Sequence, residues 1–210
     1  MQRVVGGAVL GFALAAAWPL GGSATADPSG ATVQRFRLRC AVALGPEGPV
    51  VPPAWLRDQV SAANRVFRDA GVGFVLARPA SLAGRHLVVE TRADRWALAR
   101  YVRPRAIHCF VVGRMRDAED PAQWRRGVHT RLPHRPDVHF VILSALGPRT
   151  TLAHELGHYF GNHEHTDVPG NIMSRDHGDA PRFDAEQLRV VRWVAHREVA
   201  KGLLRPMPRR

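Results

Sequence analysis

Residues 151–165 read Thr-Leu-Ala-His-Glu-Leu-Gly-His-Tyr-Phe-Gly-Asn-His-Glu-His, and the spacing inside that stretch decides the fold. His154 and His158 stand four apart, one turn of a helix, so both imidazoles face one side and reach one metal ion. Glu155 sits one step round the helix, close enough to hold a water on such an ion without being a ligand. Thr150 or Thr151 caps the helix. Gly161 falls where the helix has to stop, because glycine takes the left-handed conformation that reverses the chain. His163, Glu164 and His165 follow at once, and any of them is able to close a tetrahedral site that keeps one corner open. Eight residues beyond His165, Asn171-Ile172-Met173-Ser174 puts a methionine in a turn-prone setting.

Outward from this stretch the chain alternates strands and helices. Period-two or continuous apolar runs predict strands at 33–44, 73–77, 87–90, 107–112, 127–131 and 139–144. Helices are expected at 53–71, with Leu56, Val60, Ala63, Val66 and Phe67 on one face, and at 92–102, 151–160 and 184–203. The last presents Leu188, Val191, Trp193, Val194 and Val199. This order implies a mixed α/β (α+β) fold with a mainly parallel twisted sheet, a histidine-bearing helix, a methionine turn and a C-terminal helix. Residues 161–182 have no period, and a loop that long in a compact domain usually has work to do.

The chain has 210 residues and a net charge of +12, and Lys201 is the only lysine. The arginines are dispersed, with no aromatic-interleaved stripe, which argues against specific nucleic-acid binding and leaves a loose attraction to acidic molecules. Two cysteines and no short repeat exclude collagen, coiled coil and a disulfide-dense miniprotein. At the start, Arg3 precedes an apolar run at 4–20, too short to span a hydrocarbon core about 30 Å thick. Ala24-Thr25-Ala26 then offers small residues to a signal peptidase. Residues 1–26 read as a signal peptide, and 27–210 as a single domain, secreted or periplasmic, with no membrane association after cleavage and a monomer expected. In an oxidising compartment Cys40 and Cys109, both in strands, are expected to pair. The disulfide would close a loop of about 70 residues and contribute roughly 4 kcal/mol.

His154, Glu155, His158, Gly161 and Met173 carry a resemblance to the metzincin zinc endopeptidases, whose signature is HExxHxxGxxH followed by a turn with its methionine beneath the zinc. The tenth position after His154 is Glu164 rather than histidine, a one-residue insertion after Gly161. The stretch from His165 to Met173 is similar in length to the matrixin ligand-to-turn segment, which favours His165 as third ligand over His163 and Glu164. The resemblance implies one catalytic Zn2+ on His154, His158 and His165. Glu155 would serve as general base for a zinc-bound water, and Met173 as the turn methionine. It implies a protein or peptide substrate, bound in extended form along the edge strand at 127–131. Two other readings stay open: a zinc- or protein-binding module of the same fold without turnover, and a gluzincin-type site with Glu186 as third ligand.

Overall fold

The computed structural model describes residues 33–175, 178 and 180–208; the expected signal peptide at 1–26 lies outside them. In chain order the elements are β1 (Gln34–Gly45), β2 (Gly48–Pro49), α1 (Pro53–Val66), β3 (Val72–Leu76), β4 (Ala80–Leu82), β5 (Val88–Val89), α2 (Arg92–Ala97), β6 (Ile107–Val112), β7 (Arg114–Met115), β8 (Gly127–Leu132), β9 (Arg135–Ser144), α3 (Thr151–Tyr159) and α4 (Ala185–Ala200). β1 shows the alternation at its plainest: Phe36, Leu38, Cys40 and Val42 are buried, and Arg35, Arg37 and Arg39 between them are exposed. The expected helices at 53–71 and 92–102 both end early in tight 3-10 turns, Arg68–Ala70 and Leu98–Tyr101. Gly71 completes the first reversal at φ 67°.

β1 is the hub of the sheet. β3 and β4 run parallel to it on one side, β6 parallel on the other, and β9 parallel beyond β6. β8 closes that end antiparallel to β9. Every residue of β6 is buried because an apolar layer covers each face. One layer joins α1, α3 and α4 to the sheet through Phe36, Phe67, Phe160 and Val191. The other, built on Leu98, Phe110, Met115 and Phe140, lies beneath the Leu98–Tyr101 turn and the β5–β7 ribbon. The mainly parallel mixed sheet expected from the element order is the one observed.

Two expectations are corrected here. Trp193 is 62% exposed rather than part of the buried stripe of α4. At 100° per residue it lies on the far side of the helix from Val191, and its ring packs under the Arg197 guanidinium at 4.7 Å. Cys40 and Cys109 are free thiols, both buried, and no disulfide joins them. They are direct neighbours on the parallel strands β1 and β6. Strands lie about 4.8 Å apart, and parallel side chains keep their Cβ atoms near that spacing, wider than the about 3.8 Å a disulfide prefers. Hydrogen bonding to Cys40, reinforced by burial, pushes the Cys109 thiol well above its usual range.

Phe67 ties the helical layer together. Fully buried past the end of α1, it meets Phe74 and Phe183 edge-on at 5.0 and 4.9 Å and Phe160 at 5.8 Å. Replacing it with alanine opens a cavity under three elements at once. Phe67→Ala is expected to lower unfolding free energy by about 3–5 kcal/mol in a denaturant titration.

Candidate metal centre

The helix that carries the histidines is anchored from a distance. Gln59, fully buried on α1, donates Nε2 to the Pro148 carbonyl at 2.8 Å and accepts the Leu152 N–H at 2.9 Å. It thereby satisfies one of the N–H groups a helix start leaves without an intrahelical partner. Thr150 is the N-cap residue, and the Thr151 hydroxyl bonds Pro148 O at 2.8 Å. At the other end Gly161 takes φ 98°. It lies so close to Val190 and Val194 of α4 that a side chain there would collide with both.

The chain reversal brings His165 over the helix. His154 and His158 each spend one ring nitrogen on a backbone carbonyl: Nδ1–H donates to Ile172 O and to Asn162 O, both at 2.7 Å. A carbonyl only accepts, so in each neutral ring Nε2 is left as the lone-pair nitrogen. Those atoms converge. Nε2 of His154 lies 3.2 Å from Nε2 of His158 and 3.2 Å from Nε2 of His165. Three imidazole nitrogens gathered round one point, two of them with fixed lone pairs, suit a cation among them. Tetrahedral coordination at about 2.05 Å separates ligand nitrogens by about 3.3 Å, so the donor set fits a zinc ion. Burial pulls His158 down to about 4, which keeps its nitrogen unprotonated at neutral pH. Among the described residues this is the one group of three or more His, Cys, Asp or Glu side chains placed to hold a metal ion. His163 lines the cleft without joining it, and Glu164 is exposed. Glu186 points into solvent from the first turn of α4, ion-paired with Arg189, which removes the gluzincin arrangement.

Met173 lies beneath the centre, fully buried. Its turn is closed by Ser174 N–H to Asn171 O at 3.0 Å, and the Asn171 side chain accepts the Met173 N–H at 2.8 Å. Asn171 Nδ2 in turn bonds Gln187 of α4 at 3.0 Å. A Cβ on Gly157 would fall 2.4 Å from the Met173 sulfur. The glycine between the two histidines is therefore the place where the thioether reaches the helix.

Glu155 faces the same cavity as the triad, with the first residue of β8 against it. A Cβ on Gly127 would stand 2.7 Å from Glu155 Oε1. Burial raises the Glu155 carboxyl to about 8, opposed by the backbone N–H of His129 and the charges of Arg125 and Arg95. Among the described residues β8 pairs on one edge only, and its Gly127–Arg131 stretch lines a cleft of about 490 Å³ with Glu155 and the three histidines. Beside it a half-buried and a buried histidine meet: His129 Nε2 lies 2.9 Å from His139 Nδ1, and the His139 ring stacks on Tyr159 at 3.9 Å.

Two outcomes follow from this geometry. Gly157→Ala displaces Met173 and, through Ile172, the acceptor that orients His154; zinc affinity measured against a competing chelator should fall by roughly 10- to 100-fold. In metal-free protein the folded state keeps the Glu155 proton that the unfolded chain releases above about 4.5, so this group costs stability as pH rises from there to about 8. Metal-free Glu155→Gln should therefore unfold at higher temperature than wild type at pH 7.5, with the gap closing by pH 4.5.

No protein-family model matches the chain, and no curated protein matches it. Solved structures do. Metalloproteinase-II from Bacteroides fragilis aligns with a TM-score of 0.56 at 14% identity, over 78% of this chain and 54% of its own; the chain spans about half the length of that protein. Mirolysin, a Tannerella forsythia protein, aligns with a TM-score of 0.61 at 9% identity, over 83% of this chain and 100% of its own. Archaemetzincin from Methanopyrus kandleri gives a TM-score of 0.52 at 15% identity, over 80% and 98%. At such identities the likeness is one of fold. The histidine-bearing helix, its glycine reversal and the methionine turn are thus set in a metzincin-like fold.

Proposed function

We propose that the chain is an exported zinc-dependent endopeptidase, with residues 1–26 a cleaved signal peptide and 27–210 one catalytic domain. The observation that carries this reading is the convergence of three imidazole nitrogens, His154 Nε2 lying 3.2 Å from those of His158 and His165, beside a buried carboxyl and along a strand edge that no other described strand pairs with. His154, His158 and His165 would hold one Zn2+. When bound, zinc supplies a Lewis acid for the scissile carbonyl and lowers the pKa of a water to about 7.

The rest of the work falls to the chain. The Glu155 carboxylate takes a proton from the attacking water and returns it to the nitrogen of the leaving amine. The backbone N–H of His129 steadies that carboxylate, and Gly127 leaves room for it. The free edge of β8 offers N–H and C=O groups that pair with an extended protein or peptide substrate, as in β-strand addition. Met173 supports the floor of the site. No helix among the described residues is long and apolar enough to cross a membrane. We place the protein in the secreted or periplasmic space as a monomer acting on polypeptides, with no specific nucleic acid and no membrane partner after signal cleavage.

Cleavage of a diverse peptide mixture by zinc-loaded protein, read by mass spectrometry, tests this. Wild type should cut and Glu155→Ala should lose about 100- to 10,000-fold in kcat/KM, the usual worth of general acid–base catalysis. His165→Ala should lose zinc while Glu186→Ala retains it. A folded, zinc-loaded wild type that cuts nothing would leave a binding module of this fold in place of an enzyme.

A further inference from the structure

The cleft carries more guanidinium charge than it neutralises. Arg92, Arg95, Arg125, Arg126, Arg131 and Arg175 line its two lobes, against Asp117, Glu119 and Asp120 besides Glu155. Each of those three carboxylates is already engaged. Asp117 accepts from Arg125 Nε at 2.6 Å and from the backbone N–H groups of Glu119 and Asp120. Glu119 pairs with Arg92 at 2.8 Å. Asp120 accepts from Gln123 Nε2 at 2.6 Å and from the Ala122 N–H.

Four arginines are left over. No carboxylate among the described residues pairs with Arg126 or Arg175. Arg131 reaches the Pro136 carbonyl and the His139 ring. Arg95 is the least satisfied. It projects from α2 to the cleft wall, half-buried, and the acceptor it has is the Arg116 carbonyl, 2.5 Å from Nη2. Its Nε is sealed from solvent without any acceptor. A guanidinium has five N–H donors, and one kept partly out of water with so few of them used is costly unless an anion completes its set. Arg125 and Arg95 also bear electrostatically on Glu155, so the surplus charge lies within reach of the catalytic carboxyl rather than at a remote surface.

We propose that this cleft selects polypeptides with an acidic side chain next to the cleaved bond, and that Arg95 is its principal receptor. A glutamate or aspartate carboxylate in the cleft supplies an acceptor to the end of the Arg95 guanidinium that lines it, in a charge-assisted pair beside the sealed Nε. Arg126, Arg131 and Arg175 add a positive field that draws acidic segments toward β8 and disfavours basic ones. Asp117 and Glu119 hold Arg125 and Arg92 in place around the receptor. This inference rests on the endopeptidase reading of the same site.

The test separates binding from turnover. Fluorescent peptides that differ only in carrying Glu, Gln or Lys at the two positions on either side of one bond are titrated, by anisotropy, into zinc-loaded Glu155→Gln. The same peptides are then offered to wild type. The Glu peptides should bind at least tenfold more tightly than the Gln peptides and be cut at least tenfold faster in kcat/KM. Added salt should shrink both ratios. Arg95→Met should remove most of the preference, and the exposed double variant Arg126→Glu/Arg175→Glu should shift it toward Lys, a second route that does not disturb α2. Arg37→Glu, on the solvent face of β1, controls for net charge and should change nothing.

Cleavage with no Glu preference, or with a preference for Lys, would overturn the inference and leave the peptidase reading standing. Tight, Arg95-dependent binding of Glu peptides without cleavage by wild type would support the acidic receptor and sink the peptidase. Neither binding nor cleavage by folded, zinc-loaded protein would sink both.

Discussion

The hydrogen bond from His154 Nδ1 to the Ile172 carbonyl, at 2.7 Å, is the contact on which the candidate centre depends. It turns a helical histidine into a donor with a fixed tautomer, and it ties the helix to the turn that buries Met173. Neighbouring contacts reinforce it. Ile172 N–H is held by Arg182 O, Asn171 braces the turn, and Gln187 connects Asn171 to the capping box of α4. The closing helix therefore acts on a nitrogen of α3 through a chain of short polar contacts. Second partners of this kind orient metal ligands and raise their basicity.

Around that contact two close approaches leave no room for a side chain. At Gly157 the Met173 sulfur touches the helix from below, and at Gly127 the edge strand presses on Glu155 from the cleft side. Glu155 is consequently buried between a strand and a helix, in surroundings that raise its carboxyl to about 8. Burial of this sort carries an energetic cost for the ionised form that nearby positive charge offsets. The wall of arginines around the cleft acts in the same direction, favouring the ionised carboxylate.

How much of this was legible beforehand follows from the range of each interaction. Contacts within one helix or one turn left a pattern. The four-residue step from His154 to His158, the stop at Gly161 and the distance from His165 to Met173 are local, and the structure assembles all of them. The run at 107–112 read as a buried strand because only a strand covered on both faces is apolar throughout. Gln59 marked itself weakly, as a polar residue on the apolar face of α1, but its partners lie about ninety residues downstream. The His129–His139 pair depended on strand register, and Trp193 on which face of α4 met the core. The expected Cys40–Cys109 disulfide failed on geometry, since in-register parallel strands set the two thiols side by side without closing the gap.

By itself, then, the sequence determined the element order, the mainly parallel sheet, and a helix presenting two histidines and a glutamate before a glycine reversal. These follow from periodicity and from glycine's backbone freedom, both of which act over a few residues. The spacing to Met173 favoured His165 among His163, Glu164 and His165, but only the tertiary structure brought its nitrogen to His154, because the path of the chain after Gly161 is set by packing against α4 and by the methionine turn. Tertiary structure alone decided that Glu155 is buried against Gly127 and that the cleft's carboxylates are spent on one another's neighbours. Long-range packing governs both, and no local pattern records it.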